Sequence, residues 1–193
     1  MANLADNGQE RSIDQELISL LCQWQWTSES EKMHFNPDHY LHTGSGRIFT
    51  PERNAAAWKR LYSDLSAALL IRSRRVVMVI GVQGAGKSTW TKNQVSKSDD
   101  AIYVDSTFAT AHRRSRIIAI AKAAAVSVSA VWLKVELETA LYRNNNRPAD
   151  EIVPDNAVEN VFQIFEPPSL EEGFAEVVIV VNELDAVEHP QNL

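Results

Sequence analysis

The chain of 193 residues is poor in cysteine and has no long apolar run. Its one cysteine, Cys22, cannot form an internal disulfide, which is typical of a protein from a reducing compartment. No apolar run approaches the ~18 residues of a transmembrane helix. The acidic, polar N-terminus also lacks the apolar core of a signal peptide. We therefore expect a cytoplasmic protein without membrane attachment.

Positive charge is also scarce, because 19 basic residues face 25 acidic ones and the net charge is −6. This balance argues against a protein that coats nucleic acid non-specifically, although it leaves room for one basic groove. Seven glycines and seven prolines exclude collagen-like and Pro/Gly-rich disordered chains. The length fits one domain with a small appendage.

Two parts of the chain differ in pattern, with a boundary near residue 75. Residues 1–75 form a predicted N-terminal helical extension, with one helix from Ser12 to Trp24 and a second opening at Thr50–Pro51. Residues 27–50 between them are polar and predict a loop. After the boundary, in 76–193, short apolar runs alternate with helical stretches, which predicts a parallel α/β sheet flanked by helices. The predicted strands are 76–80, 101–104, 127–135 and 177–181, and the predicted helices are 87–97, 113–125, 136–146 and 155–165.

Directly after the first of these strands the chain reads GVQGAGKS, the complete G-x-x-x-x-G-K-[ST] phosphate loop between a strand and a helix. Glycines let the backbone wrap a phosphate, and the N-terminus of the following helix favours negative charge. We expect Lys87 to reach the β- and γ-phosphates and the Ser88 hydroxyl to ligate Mg²⁺. The predicted fold is therefore a reduced, P-loop NTPase-like parallel sheet of about four strands. The expected ligands are ATP and Mg²⁺. The expected nucleotide contacts are Gly81, Gln83, Gly84, Ala85, Gly86, Lys87, Ser88 and Thr89.

The rest of the chain favours a small kinase. It has no guanine-reading N-K-x-D, and the part after the loop is short for a motor ATPase. Asp105 ends the second strand, where ligand sites of parallel sheets lie. Three roles are open for Asp105: general base, Mg²⁺ ligand through water, or cap of the next turn. Arg143 and Arg147 stand at a helix end and are predicted to neutralise charge on the transferred phosphoryl group.

Four stretches within residues 81–181 resemble the kinase domain of phage-type polynucleotide 5′-kinases and of animal polynucleotide kinase-phosphatases. They read GVQGAGKSTW, VDSTFATAHRRSR, LYRNNNRPADEIVP and FEPPSLEEGFAEVVIV. The resemblance implies that Arg147 is the lid arginine that stabilises the transition state. It also implies that Asp105 and Thr107 form the acceptor-holding D-x-T, followed by basic helix residues at Arg114 and Arg116.

One departure from that family concerns its catalytic base, which lies in N-R-D on an extra strand between the phosphate loop and D-x-T. The stretch between Lys87 and Asp105 is too short for such a unit, and Asp99 and Asp100 lie at the wrong end of the strand. Either Asp105 takes over as base, or the site binds ATP without efficient transfer.

The leading interpretation is ATP- and Mg²⁺-dependent phosphoryl transfer to a hydroxyl, with a 5′-hydroxyl of RNA, DNA or a nucleotide-like molecule favoured as acceptor. Two alternatives stay open: a small-metabolite kinase, and an ATP-binding regulatory protein that contacts a protein partner through residues 1–75. Three histidines of the predicted loop, His34, His39 and His42, are interpreted as surface residues rather than zinc ligands.

Overall fold

A computed structural model describes residues 34–44, 46–71, 74–97 and 101–181. The helix predicted from Ser12 to Trp24, together with Cys22, lies outside the described residues. Short 3-10 turns cover Pro37–Tyr40 and Leu170–Glu172. The strands are β1 His34–Phe35, β2 His42–Thr43, β3 Gly46–Arg47, β4 Arg75–Ile80, β5 Ala101–Asp105, β6 Val128–Lys134 and β7 Glu176–Val181. The helices are α1 Pro51–Ile71, α2 Lys87–Val95, α3 Ala111–Ala123, α4 Leu137–Asn145 and α5 Asp155–Gln163.

Five parallel strands form the main sheet in the order β1-β5-β4-β6-β7. This architecture confirms the predicted α/β fold, and all four predicted strands are present. The fifth strand, β1, was not predicted, because it is two residues long and lies inside the segment interpreted as a loop. Strands β2 and β3 pair separately as a small antiparallel hairpin.

Strand β4 is buried on both faces, which explains its uninterrupted apolar sequence. Val76, Met78 and Ile80 pack in one cluster with Leu61, Leu65 and Leu69 of α1 and with Ile117 of α3. Val77 and Val79 face the opposite cluster, against which Trp90 of α2 packs. Helix α1 therefore shares a hydrophobic core with the strand that carries the phosphate loop. None of the described helices is long and apolar enough to span a membrane.

Strand β1 occupies one edge of the sheet, where His34 and Phe35 pair with Tyr103 and Val104 of β5. Phe35 anchors it in the core at 2% exposure. The turn that follows is tied to α1, because the Tyr40 hydroxyl donates a hydrogen bond to Asp64 at 3.0 Å. Burial beside Asp64 raises the pKa of Tyr40 far above its usual range, so the hydroxyl remains a donor.

Candidate nucleotide and acceptor site

The phosphate loop lies at the carboxyl end of β4, the central strand of the sheet. Gly84 has a φ of +79°, and a Cβ at this position would collide with the carbonyl oxygen of Ala140. Only glycine therefore allows helix α4 to pack directly on the loop. Gly86, with a φ of +85°, turns the chain into α2. The loop and the helix that leads to the predicted lid are thus in direct contact.

Lys87 is buried inside the loop, and its Nζ donates a hydrogen bond to the Val82 carbonyl oxygen at 2.8 Å. Burial lowers the pKa of Lys87, and Arg147 adds to this effect, whereas Asp105 and Asp38 oppose it. These three charged side chains therefore lie close enough to Lys87 to act on it. A bound triphosphate would bring the negative charge that a buried ammonium needs.

Asp105 is completely buried at the end of β5, and three side chains of the site approach its carboxylate. The Ser88 hydroxyl donates a hydrogen bond to Oδ2 at 2.8 Å. The Asn36 amide donates to the same oxygen at 3.3 Å, and His34 Nε2 lies 3.4 Å from it. Within the described residues, Oδ1 of Asp105 is buried without a hydrogen-bond partner.

Asp105 carries a negative charge despite its burial. Burial alone would raise the pKa of this carboxyl, but the contacts with His34, Lys87 and Ser88 outweigh it and lower the pKa. Mg²⁺ prefers oxygen ligands from one or two protein side chains and keeps several waters. The unpartnered Oδ1 beside the Ser88 hydroxyl fits such an ion.

The end of β1 adds residues that the sequence interpretation did not assign to the site. Because β1 runs parallel to β5, Asn36 and Asp38 lie at the carboxyl-terminal end of the strands, as do Asp105 and the phosphate loop. Asn36 Oδ1 accepts the Asp38 N–H at 2.9 Å and caps the turn. The Asp38 side chain is 47% exposed, and its Oδ1 lies 2.8 Å from Nη2 of Arg47.

As the sequence predicts, no further strand is described between the phosphate loop and β5, because helix α2 is the one element between them. A strand does lie outside β5, but the chain supplies it from ahead of the phosphate loop, so the residues between Lys87 and Asp105 could not reveal it. The usable signal was Asn36-Pro37-Asp38, which has the N-x-D spacing of the resembled family in an unexpected chain position.

Two residues expected to bind substrate have different surroundings. Arg114 is fully buried, and its Nε and Nη2 lie 2.6 and 2.7 Å from the Glu172 carboxylate. Its Nη1 donates to the carbonyl oxygens of Phe108 and Glu166, so the guanidinium is enclosed by protein and cannot reach a substrate. Arg116 is exposed, with its guanidinium 4.9 Å from the ring centre of Tyr62.

Thr107 lies beside the phosphate loop, because its carbonyl oxygen accepts the Gly81 N–H at 3.3 Å. Arg143 and Arg147, both half-buried, lie at the end of helix α4 and just beyond it. The buried Asn144 side chain accepts from Val153 N–H at 3.2 Å and donates to its carbonyl oxygen at 2.6 Å. This pair of bonds closes the segment after Arg147 into a compact turn.

The three histidines of the segment predicted to be a loop differ in their burial. His34 is only 8% exposed and contacts Asp105, so it is not the surface residue that the sequence suggested. His39 and His42 are exposed as expected. No group of three His, Cys, Asp or Glu side chains within the described ranges is arranged to bind a metal ion.

The five-stranded parallel sheet, with a phosphate loop at the end of its central strand, defines a P-loop NTPase-like fold. Residues 96–168 match a family model, AAA_33, that is described as an AAA domain. This family of P-loop NTPase-like proteins includes kinases. The match covers less than half of the chain and begins after the phosphate loop. No curated protein matches the chain.

Proposed function

We propose that this chain is a P-loop kinase that transfers the γ-phosphoryl group of ATP to a hydroxyl, with a polynucleotide 5′-hydroxyl as acceptor. One observation carries the proposal: Ser88 is hydrogen-bonded to the buried Asp105 carboxylate beside Lys87, and Asp38 lies in the turn that follows the neighbouring strand β1, at the same end of the sheet. Groups suited to the donor, the metal and the acceptor therefore share one site.

The donor side consists of the loop and the first turn of α2. The loop backbone would hold the phosphates, with Gln83 and Thr89 beside them. Lys87 would supply positive charge to the terminal phosphates. Ser88 and Asp105 would hold Mg²⁺, which neutralises phosphate charge and orients the γ-phosphate for transfer. The role of Asp105 is thus that of a metal-site residue, because its Oδ2 is occupied and the whole side chain is buried.

On the acceptor side we assign the general base to Asp38. As the acceptor oxygen forms its bond to the γ-phosphorus, the bond to the β–γ bridging oxygen breaks and ADP leaves. The hydroxyl proton passes to the Asp38 carboxylate. Asp38 suits this role better than Asp105, because its side chain is half exposed at the edge where an acceptor can enter.

The transition state gathers negative charge on the transferred group, and Arg147 and Arg143 supply matching positive charge from the lid. The position of Arg147 supports this role, because it follows helix α4, which packs directly on the phosphate loop.

A polyanionic acceptor is supported by the charge on helix α3. This helix begins shortly after Asp105, at the same edge of the sheet, and carries Arg113 and Arg116 exposed on its first two turns. Arg116 is held over Tyr62, and Arg113 also acts on the pKa of that tyrosine. A local basic surface on a chain of net charge −6 suits a phosphate backbone.

Incubation with γ-labelled ATP, Mg²⁺ and a panel of 5′-hydroxyl oligonucleotides, nucleosides and sugars tests the proposal. We expect label on the oligonucleotides and none with Lys87→Ala, whose ATP affinity in titration calorimetry should also fall severely. Transfer only to a sugar or nucleoside would contradict the acceptor class. Absence of any transfer with ATP binding intact would contradict the kinase.

A further inference from the structure

The hairpin of β2 and β3 lies between the proposed base and the lid. On one side, the Arg47 guanidinium contacts the Asp38 carboxylate at 2.8 Å. On the other side, the Arg47 backbone N–H donates a hydrogen bond to Asp150 Oδ2 at 3.2 Å. Asp150 stands three residues after the lid arginine Arg147. One residue of the hairpin therefore contacts both the base and the turn that follows the lid.

The approach of the turn to the hairpin is close. Gly46 has a φ of +103°, and a Cβ on it would lie 3.2 Å from Asp150 Oδ2. A larger residue would be strained in its backbone and would push against the carboxylate. The contact thus depends on a glycine immediately before Arg47.

The hairpin itself is firmly held. Arg53, near the start of α1, donates from Nε to the Ile48 carbonyl oxygen at 3.2 Å and from Nη2 to that of Leu41 at 3.3 Å. Thr43 Oγ1 donates to the Gly46 carbonyl oxygen at 2.8 Å. The Arg47 side chain is only 14% exposed, so few other rotamers are open to it. These bonds present the guanidinium to Asp38 in one orientation.

We propose that Arg47 is a positioning residue for Asp38 and that Asp150 acts through Arg47. The inference rests on the proposed function, in which Asp38 receives the acceptor proton. Arg47 engages Oδ1 of Asp38 and thereby fixes the direction of the other carboxylate oxygen. Asp150 fixes the Arg47 main chain, so the position of the lid turn is linked to the orientation of the base.

Steady-state kinetics on single variants make the first test. Arg47→Ala should lower kcat by roughly 20-fold and Asp150→Ala by roughly fivefold, with the KM for ATP unchanged, because a misplaced base slows only the chemical step. Arg47→Lys should recover part of the loss, and Asp150→Asn most of it, since an amide oxygen still accepts the N–H. The matched control is Glu151→Ala, which removes the neighbouring carboxylate and should not change kcat.

A double-variant cycle separates this link from two independent structural effects. If Asp150 acts through Arg47, the Arg47→Ala/Asp150→Ala protein should be no slower than Arg47→Ala alone. A double variant whose loss equals the product of the two single losses overturns the proposal.

Hydrogen exchange gives a readout that needs no catalysis. The Arg47 amide should exchange faster in Asp150→Ala than in the wild type, and at the wild-type rate in Glu151→Ala. Unchanged exchange in Asp150→Ala overturns the link between hairpin and lid. If the wild type transfers phosphate to no acceptor, the proposed function fails, and the exchange experiment still tests the link on its own.

Discussion

The two halves of the site differ in how the chain builds them. The proposed donor half, residues 81–89, is one continuous loop and helix start, and all its residues, including the charged Lys87, follow one another in sequence. The proposed acceptor half combines Asp38 from the turn after the edge strand β1, Arg47 from a hairpin and Asp150 from the lid turn. The geometry of a local motif is set by residues that are adjacent in sequence, whereas the acceptor half forms only when distant elements have packed together. Changes in the donor half should therefore alter nucleotide binding, and changes in the acceptor half should alter turnover.

The largest expected effect falls on the acceptor half. Asp38→Asn should lower kcat by roughly 10³-fold, within the range for a lost general base, because an amide cannot take up the proton. The KM for ATP should stay near its wild-type value. Steady-state kinetics with a 5′-hydroxyl oligonucleotide would measure both, and Glu159→Gln, an exposed carboxylate on α5, is the control. A loss below tenfold would remove Asp38 from the chemistry.

Arg147 lies in the chain between helix α4, which packs on the phosphate loop, and the turn that carries Asp150, and its removal should have the next largest effect. Arg147→Ala should lower kcat and kcat/KM together by roughly 10²-fold, because the charge it meets develops during transfer. Arg147→Lys should recover only part, since an ammonium lacks the planar fork. The exposed Lys122→Ala serves as control. An increase in the KM for ATP alone would make Arg147 a ground-state clamp in the donor half.

Asp105 contacts Ser88 of the donor half and Asn36 beside the Asp38 turn, so its role distinguishes the two halves. As a metal-site residue, Asp105→Asn should raise the Mg²⁺ concentration needed for half-maximal binding of an ATP analogue by about tenfold, which is about 1.4 kcal/mol. Calorimetric titrations at several Mg²⁺ concentrations would measure this, and Ser88→Ala should shift it in the same direction. Unchanged Mg²⁺ dependence with abolished turnover would assign Asp105 to the acceptor chemistry instead.

The smallest expected effect concerns stability and lies in the donor half. Without nucleotide, Lys87→Met should raise the free energy of unfolding by about 1 kcal/mol at pH 7, because it removes a buried charge. The folded-state pKa of Lys87 lies below the ordinary 10.5, so the unfolded chain holds this proton more tightly. The wild type therefore regains stability as the pH rises toward 10.5.

Denaturant unfolding of both proteins at pH 7 and pH 9.5 would check this expectation. The advantage of Lys87→Met should shrink at the higher pH, and titration with an ATP analogue should stabilise only the wild type. If the difference in the free energy of unfolding between the two proteins grew with pH, the buried charge would not be its cause.

Sequence patterns were sufficient for the parts of the molecule whose signals are local. The run VVMVI of β4 is buried on both faces, so this strand could be predicted from composition alone, whereas the similar run VVIVV of β7 is largely exposed. The phosphate loop was predicted because its spacing encodes its geometry. Helix α1 was predicted from its opening at Thr50–Pro51 and from an apolar stripe that packs on the sheet.

The remaining parts depend on contacts between distant residues. Strand β1 has two residues, too few for a periodic pattern, and only its pairing with β5 defines it. Arg114 has the sequence context of a substrate ligand, yet Glu172, 58 positions away, encloses it. The Arg47–Asp38 contact arises from a hairpin within a segment that reads as a polar loop.

The origin of the edge strand has a consequence for how the protein matures. Asn36 meets Asp105 across a separation of 69 residues in the chain, a non-local contact that cannot form until β5 has been made. During synthesis the segment that bears Asp38 emerges first and must wait for its partner strand. A nascent chain that ends soon after the phosphate loop therefore lacks an ordered acceptor half.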